Sequence, residues 1–148
     1  MSDRSQSDAE DLVEPFDEAL VRTEAAAQQF VRGDSTGIKE CWAHADEVSI
    51  LGGGGGHARG WEQVGQSLEG GAGLFRKGPF SAHVEVDIIA RGTSGNLSYT
   101  VAIEHGEALM RGHDEPRPVM LRVTQIYRRE ADTWKIIHRH ADALTTRR

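Results

Sequence analysis

The chain has one cysteine, Cys41, so no intramolecular disulfide can form and nothing calls for an oxidising compartment; a reduced, cytoplasmic location is expected. No segment approaches the roughly 18 consecutive apolar residues of a membrane helix, and no membrane partner is expected. Positive charge is also short: 17 Lys and Arg face 23 Asp and Glu, a formal net charge of -6. Gripping a phosphate backbone needs a concentrated basic face, and Arg147-Arg148 is too short to be one, so no nucleic-acid partner is expected. The acidic, polar start from Met1 to Asp11 lacks the basic-then-apolar pattern of a secretory signal and reads as a flexible tail over 1–14.

The familiar signatures of chemistry are missing as well. Gly52 to Gly56 stands where a phosphate loop would, but without its Lys and Ser/Thr. Gly65-Gln66-Ser67-Leu68-Glu69-Gly70 is one residue off a nucleophile elbow and falls inside a helical pattern. There is no HExxH and no cysteine pair, so no metal and no cofactor is expected.

What is present is a pattern. In 148 residues with 38% hydrophobic content there is room for one domain, placed at 15–144. Phe16, Leu20, Ala27 and Phe30 recur at helical spacing up to Gly33. Asp34 opens a short second helix that carries Ile38, Cys41 and Trp42. Glu47 to Leu51 reads as a strand, the glycines as a loop, and Trp61, Val64 and Leu68 as a third helix. From Phe80 onward the period is two. Strands around Val84 to Ile88 and Leu97 to Ile103 join through Gly92 to Asn96, and strands over 119–128 and 134–142 join through Glu130 to Thr133. Helices segregated from an antiparallel sheet make an α+β domain.

The element order, Cys41 to Val48 leading into the first strand, Arg59-Gly60-Trp61 opening the third helix, and the terminal Trp134 to Asp142 together resemble the nuclear transport factor two superfamily, in its SnoaL-like branch. The resemblance implies a curved antiparallel or mixed sheet forming a cone, covered by three N-terminal helices, with a pocket for a small hydrophobic molecule and a homodimer through the outer sheet face. Ketosteroid isomerase, a relative in that superfamily, uses an aspartate base with a tyrosine and a protonated carboxylic acid. Aligned on this chain, Gly52 stands at the base and Ala26 at the tyrosine. The calcium/calmodulin-dependent kinase association domain, an assembly module, resembles Trp134 to His140.

Strict alternation in the last strand puts Trp134, Ile136, His138, His140 and Asp142 on one face and Lys135, Ile137, Arg139 and Ala141 on the other. The first set reads as a hydrogen-bonded histidine pair or as a metal pair with Asp142. The second set, by the resemblance, faces the cone, together with Leu121, Val123, Gln125 and Tyr127 and with Tyr99 and Val101. The expected ligand-contacting residues are therefore Tyr99, Gln125, Tyr127 and Arg139, with His57 and Trp61 at the entrance, while no catalytic residue is assigned. Two functions remain open. One is acid/base chemistry of an isomerase, cyclase or hydrolase type on a hydrophobic ring or carbonyl compound, drawing on His57, Tyr99, Tyr127 or Arg139; the other is a non-catalytic ligand-binding or assembly module.

Overall fold

The computed structural model describes residues 13–78 and 82–144. Of the tail expected over 1–14, all but Val13 and Glu14 lie outside the described residues. Glu14 is anchored: its carboxylate accepts from the Trp134 amide at 3.0 Å and pairs with Arg22, and its carbonyl accepts from the Trp134 indole N–H at 3.1 Å.

Helix α1 spans Phe16–Phe30 behind Pro15 and buries Phe16, Ala19, Thr23 and Ala26, a stripe spaced by three and four residues. Asp17 and Glu18 sit in its first turn, where the helix dipole favours acid. Helix α2 covers Thr36–Cys41, and the Asp34 carboxylate accepts from the Thr36 amide at 2.9 Å. Two short strands follow, β1 (Ser49–Leu51) and β2 (His57–Arg59), hairpinned across the glycine loop. Helix α3, Trp61–Ala72, comes next, so the third helix lies after the first hairpin and not ahead of all the strands. Strand β2 has no counterpart among the elements expected from the sequence, since three exposed or half-buried residues carry no alternation that could mark them.

The long strands are β3 (Ala82–Ser94), β4 (Leu97–Ala108), β5 (Arg117–Glu130) and β6 (Thr133–Ala143). All six form one curved mixed sheet in the order β2-β1-β6-β5-β4-β3, with β1 parallel to β6 and every other pair antiparallel. Two-residue turns close both long hairpins. Gly95, at φ 60, supplies the positive φ of the first, and Ala131, at φ 53, adopts the same region in the second. At Gly106 the β3 backbone comes so near that a Cβ would stand 1.9 Å from the His83 carbonyl oxygen, so only glycine fits.

Alternation fails in the last strand. Tyr127 pairs with Ile136 but Ile126 pairs with His138, leaving Ile137 as an extra residue in a β-bulge. Trp134 and Ile136 therefore face the helices along with Arg139 and Ala141, while His138, His140 and Asp142 face outward without them. The core between sheet and helices is built on Phe16, Trp42, Val48, Val64, Tyr127 and Ile136. Phe16 meets the rings of Tyr127 and Trp134 edge-on at 4.9 and 5.4 Å, geometry that aromatic quadrupoles favour.

The bulge makes a stability prediction. Ile136 is fully buried and Ile137 only partly. Ile136→Ala should cost about 2 to 5 kcal/mol in a urea titration, and Ile137→Ala clearly less. Equal losses would mean that the strand has no bulge.

Candidate functional site

Between α1, α2 and the concave face of β3 to β6 lies a hollow of two lobes. The first, with a cavity volume of about 30 Å³, is walled by Leu20, Thr23 and Glu24 of α1 and by Thr100, Gln125 and Tyr127 of the sheet. The second, of about 90 Å³, is walled almost wholly by apolar groups, among them Phe30, Leu68, Phe75, Val84 and Leu121. Ala27, Ile38, Glu104 and Arg139 border both.

An ion pair stands at that border. Arg139 donates from Nη1 to Glu104 Oε2 at 2.9 Å, from Nη2 to Glu104 Oε1 at 2.9 Å, and from Nη1 to Gln125 Oε1 at 3.0 Å. Gln125 then donates through Nε2 to the Tyr127 hydroxyl at 2.6 Å, and Thr100 bonds that hydroxyl as well. Burial works against charge on Glu104, but the Arg139 guanidinium and its two hydrogen bonds prevail and hold the carboxyl below its ordinary range. Burial also opposes charge on Arg139, and Glu104 keeps it cationic. The Tyr127 hydroxyl is pushed up by burial, against hydrogen bonds from Thr100 and Gln125, and stays protonated at neutral pH. Glu24 differs from all of these: it is exposed on α1, the partial burial it does have raises its carboxyl, and among the described residues no hydrogen bond or ion pair compensates.

The sequence-derived residues divide. Gln125, Tyr127 and Arg139 are brought together in one hydrogen-bonded chain. Tyr99 is not among them: it is 44% exposed on the outer face, its ring against Gly92 on the neighbouring strand. On β4 the inward residues are Ser98, Thr100, Ala102 and Glu104, and the bulkier Leu97, Tyr99, Val101 and Ile103 point away. Reading bulk as inward inverted this strand and hid Glu104. The signal that could recover it is the partner of Gln125, since directly paired residues share a face and Thr100 is that partner. His57 is exposed on β2, paired with Leu51. Trp61 stacks on the His44 imidazole, 3.9 Å between centroids at 11°, and neither His57 nor Trp61 lines either lobe. Glu24 carried no sequence signal, because an acid on a helix reads as a solvated face.

The outward histidines do not form a metal site with Asp142. Arg122 holds that carboxylate at 2.8 and 3.0 Å, His138 Nδ1 bonds the Ser49 hydroxyl at 2.8 Å, and no metal-holding cluster occurs among the described residues. No described helix is long and apolar enough to cross a membrane.

With this geometry in view, the comparisons with known proteins agree on one class. The sequence profile of the SnoaL-like domain matches residues 21–144, and the chain belongs to that family. Its fold is that of the nuclear transport factor two superfamily. A candidate dehydratase of that family from Streptomyces avermitilis aligns at 18% identity and TM-score 0.73, over 93% of this chain and 99% of its own. A candidate calcium/calmodulin-dependent kinase type II association domain from Thiobacillus denitrificans aligns at 18% identity and TM-score 0.69, over 90% and 98%. A candidate ketosteroid isomerase from Shewanella frigidimarina aligns at 16% identity and TM-score 0.61, over 84% and 92%. No curated protein gives a significant sequence match.

The ion pair has a pH consequence. Because the folded-state pKa of Glu104 lies below its ordinary value of 4.5, the stability it contributes is complete above that value and is lost as pH falls through the lower one. Glu104→Gln should flatten this part of the acid limb in pH-dependent thermal denaturation. Removing the carboxylate alone should also cost about 3 to 5 kcal/mol at neutral pH, because Arg139 is left charged and unpaired. An unchanged acid limb would show that the pair does not hold in solution.

Proposed function

We propose that the hollow binds a small hydrophobic carbonyl compound and moves a proton on it. The observation that supports this most is the hydrogen-bonded chain Arg139, Glu104, Gln125 and Tyr127, whose ion pair borders a lobe otherwise lined by apolar groups. Burying an ion pair is no better for stability than filling the same space with apolar side chains, so its retention favours use over support. Three of the five guanidinium N–H donors serve Glu104 and Gln125, leaving two for a ligand oxygen. A proton-transfer group should titrate near working pH, and the compensated carboxylate of Glu104 is tuned the wrong way. Glu24, at the solvent-facing rim of the first lobe, has a carboxyl raised by partial burial and takes the role of base.

Turnover is testable without the physiological substrate. A panel of steroid, polyketide, terpene and aliphatic ketones is added to the protein in deuterated water, and Tm and exchange of the protons next to the carbonyl are both followed. A true ligand at 100 times its Kd stabilises by about 2.7 kcal/mol. The double variant Arg139→Met with Glu104→Leu should fold but lose that shift, while Glu24→Gln should keep the shift and lose the exchange. No shift with any ketone overturns the reading. A shift that the double variant retains overturns the role of Arg139.

For the outer face we propose a second copy of the chain. Ile89, Tyr99 and Met120 are 65, 44 and 43% exposed there, more apolar surface than a sheet facing only water needs. Glu85 and Asp87 on β3 lie across that strip from His138 and His140 on β6, so a two-fold axis along the strands sets the acidic edge of one copy over the histidine edge of the other. Sedimentation equilibrium should give twice the chain mass, falling to one chain mass for Tyr99→Asp. A monomer in the unaltered protein overturns the proposal.

A further inference from the structure

We infer that the hollow selects its ligand by charge, taking a neutral oxygen acceptor and turning away the carboxylate or amine of the same skeleton, with Glu104 as the residue that sets the choice. This rests on the reading above that the hollow binds a carbonyl compound. That reading leaves the charge open, since a carboxylic acid also carries a carbonyl group. The first observation is the inventory of ionisable groups. Among the described residues, the charged side chains that line the two lobes are Glu24, Glu104 and Arg139, with no Lys, no His and no second Arg. With Glu24 in the ionised form that a base requires, the balance is one negative charge.

The second observation is how the single cation is used. Both oxygens of Glu104 are bonded to Arg139 at 2.9 Å, and Gln125 takes a third guanidinium N–H. A carboxylate entering from water therefore has two ways to reach Arg139. It shares the cation with Glu104, which brings two like charges together, or it displaces Glu104 and leaves that buried carboxylate without a counter-ion. Beyond the pair the second lobe is hydrocarbon, so nothing there repays the water that an anion gives up. A ketone oxygen meets neither obstacle, because it accepts from the guanidinium N–H groups that remain and disturbs no existing bond.

An amine fails for a different reason. An ammonium group has three donors and no acceptor, so it offers the spare N–H groups of Arg139 nothing. The buried oxygens it would need, those of Glu104, are already held by Arg139, whose positive charge repels it. Glu24 attracts a cation only at an exposed rim, where solvent screens the pair.

Glu104→Gln keeps the shape of the side chain and an oxygen for Arg139 to bond, but removes the charge that balances it. The border then holds an unpaired guanidinium, which favours a ligand carboxylate through charge-assisted hydrogen bonds. One substitution should thus reverse the order of affinities.

The test is calorimetric titration of the full chain at neutral pH with two trios of equal carbon number, one open-chain and one cyclic. They are 2-octanone, octanoate and octylamine, and cyclohexyl methyl ketone, cyclohexylacetate and 2-cyclohexylethylamine. In the unaltered protein at least one ketone should bind about tenfold or more tightly than the acid and amine of its trio. In Glu104→Gln the acid of that trio should become the tightest ligand and should raise the Tm of the variant. The comparison in the unaltered protein stands by itself if Glu104→Gln does not fold. An acid or amine that binds the unaltered protein as tightly as its ketone overturns the selection and leaves ketone binding standing. A folded Glu104→Gln that keeps the ketone first overturns the role of Glu104. Ketones of both trios that fail to bind remove the reading beneath it as well.

Discussion

The buried pair of Arg139 and Glu104 is the constraint around which the hollow is organised. Two opposite charges sit where water is largely excluded, and each keeps its charge only because the other is bonded to it at 2.9 Å. Such a pair gains little net stability but is costly to break, so it behaves as a fixed post between the lobes. Gln125 and Tyr127 extend it into a hydrogen-bonded chain, which fixes the rotamers around the post.

The bulge at Ile137 is what makes the pair compatible with the core. A strand of strict alternation that turned Trp134 and Ile136 inward would turn Arg139 and Ala141 to solvent and bring His140 inside. One extra residue resets the phase, so that the first half of β6 fills the core under Phe16 and the second half delivers a cation to the hollow. Strand β4 contributes in another way. Its inward side chains are small or polar up to Glu104, and that lack of bulk opposite α1 leaves space for the first lobe.

This explains which parts of the structure were legible in the residues. The hairpin turns and helix α1 with its stripe follow local rules that short segments obey on their own, whereas the inward side of β5 with Gln125 and Tyr127 came from the family resemblance. Arg139 was placed on the correct face by the family resemblance, whereas strict alternation placed Trp134 and Ile136 on the wrong one, because a bulge shows only in the pairing with the neighbouring strand. Tyr99 and Glu104 exchanged places for a related reason. A sheet with apolar residues on both faces gives alternation no sign, and on β4 the bulkier row is the outer one. Glu24 was invisible because its significance lies in what is absent around it, and a sequence does not display a missing partner.

In the proposed reaction, that absence separates the groups that would hold a ligand from the one that would exchange a proton with it. Glu104 is stabilised as an anion, and Tyr127 is held neutral within two hydrogen bonds. Transferring a proton through either would first require undoing the network that positions the ligand. Glu24 carries no such obligation: partial burial raises its carboxyl, and among the described residues no cation restores it. The missing base and tyrosine at Gly52 and Ala26 therefore do not decide against chemistry in this hollow. The fold offers the same cavity to many arrangements of side chains, and here the carboxylates stand on α1 and β4 at positions other than Ala26 and Gly52.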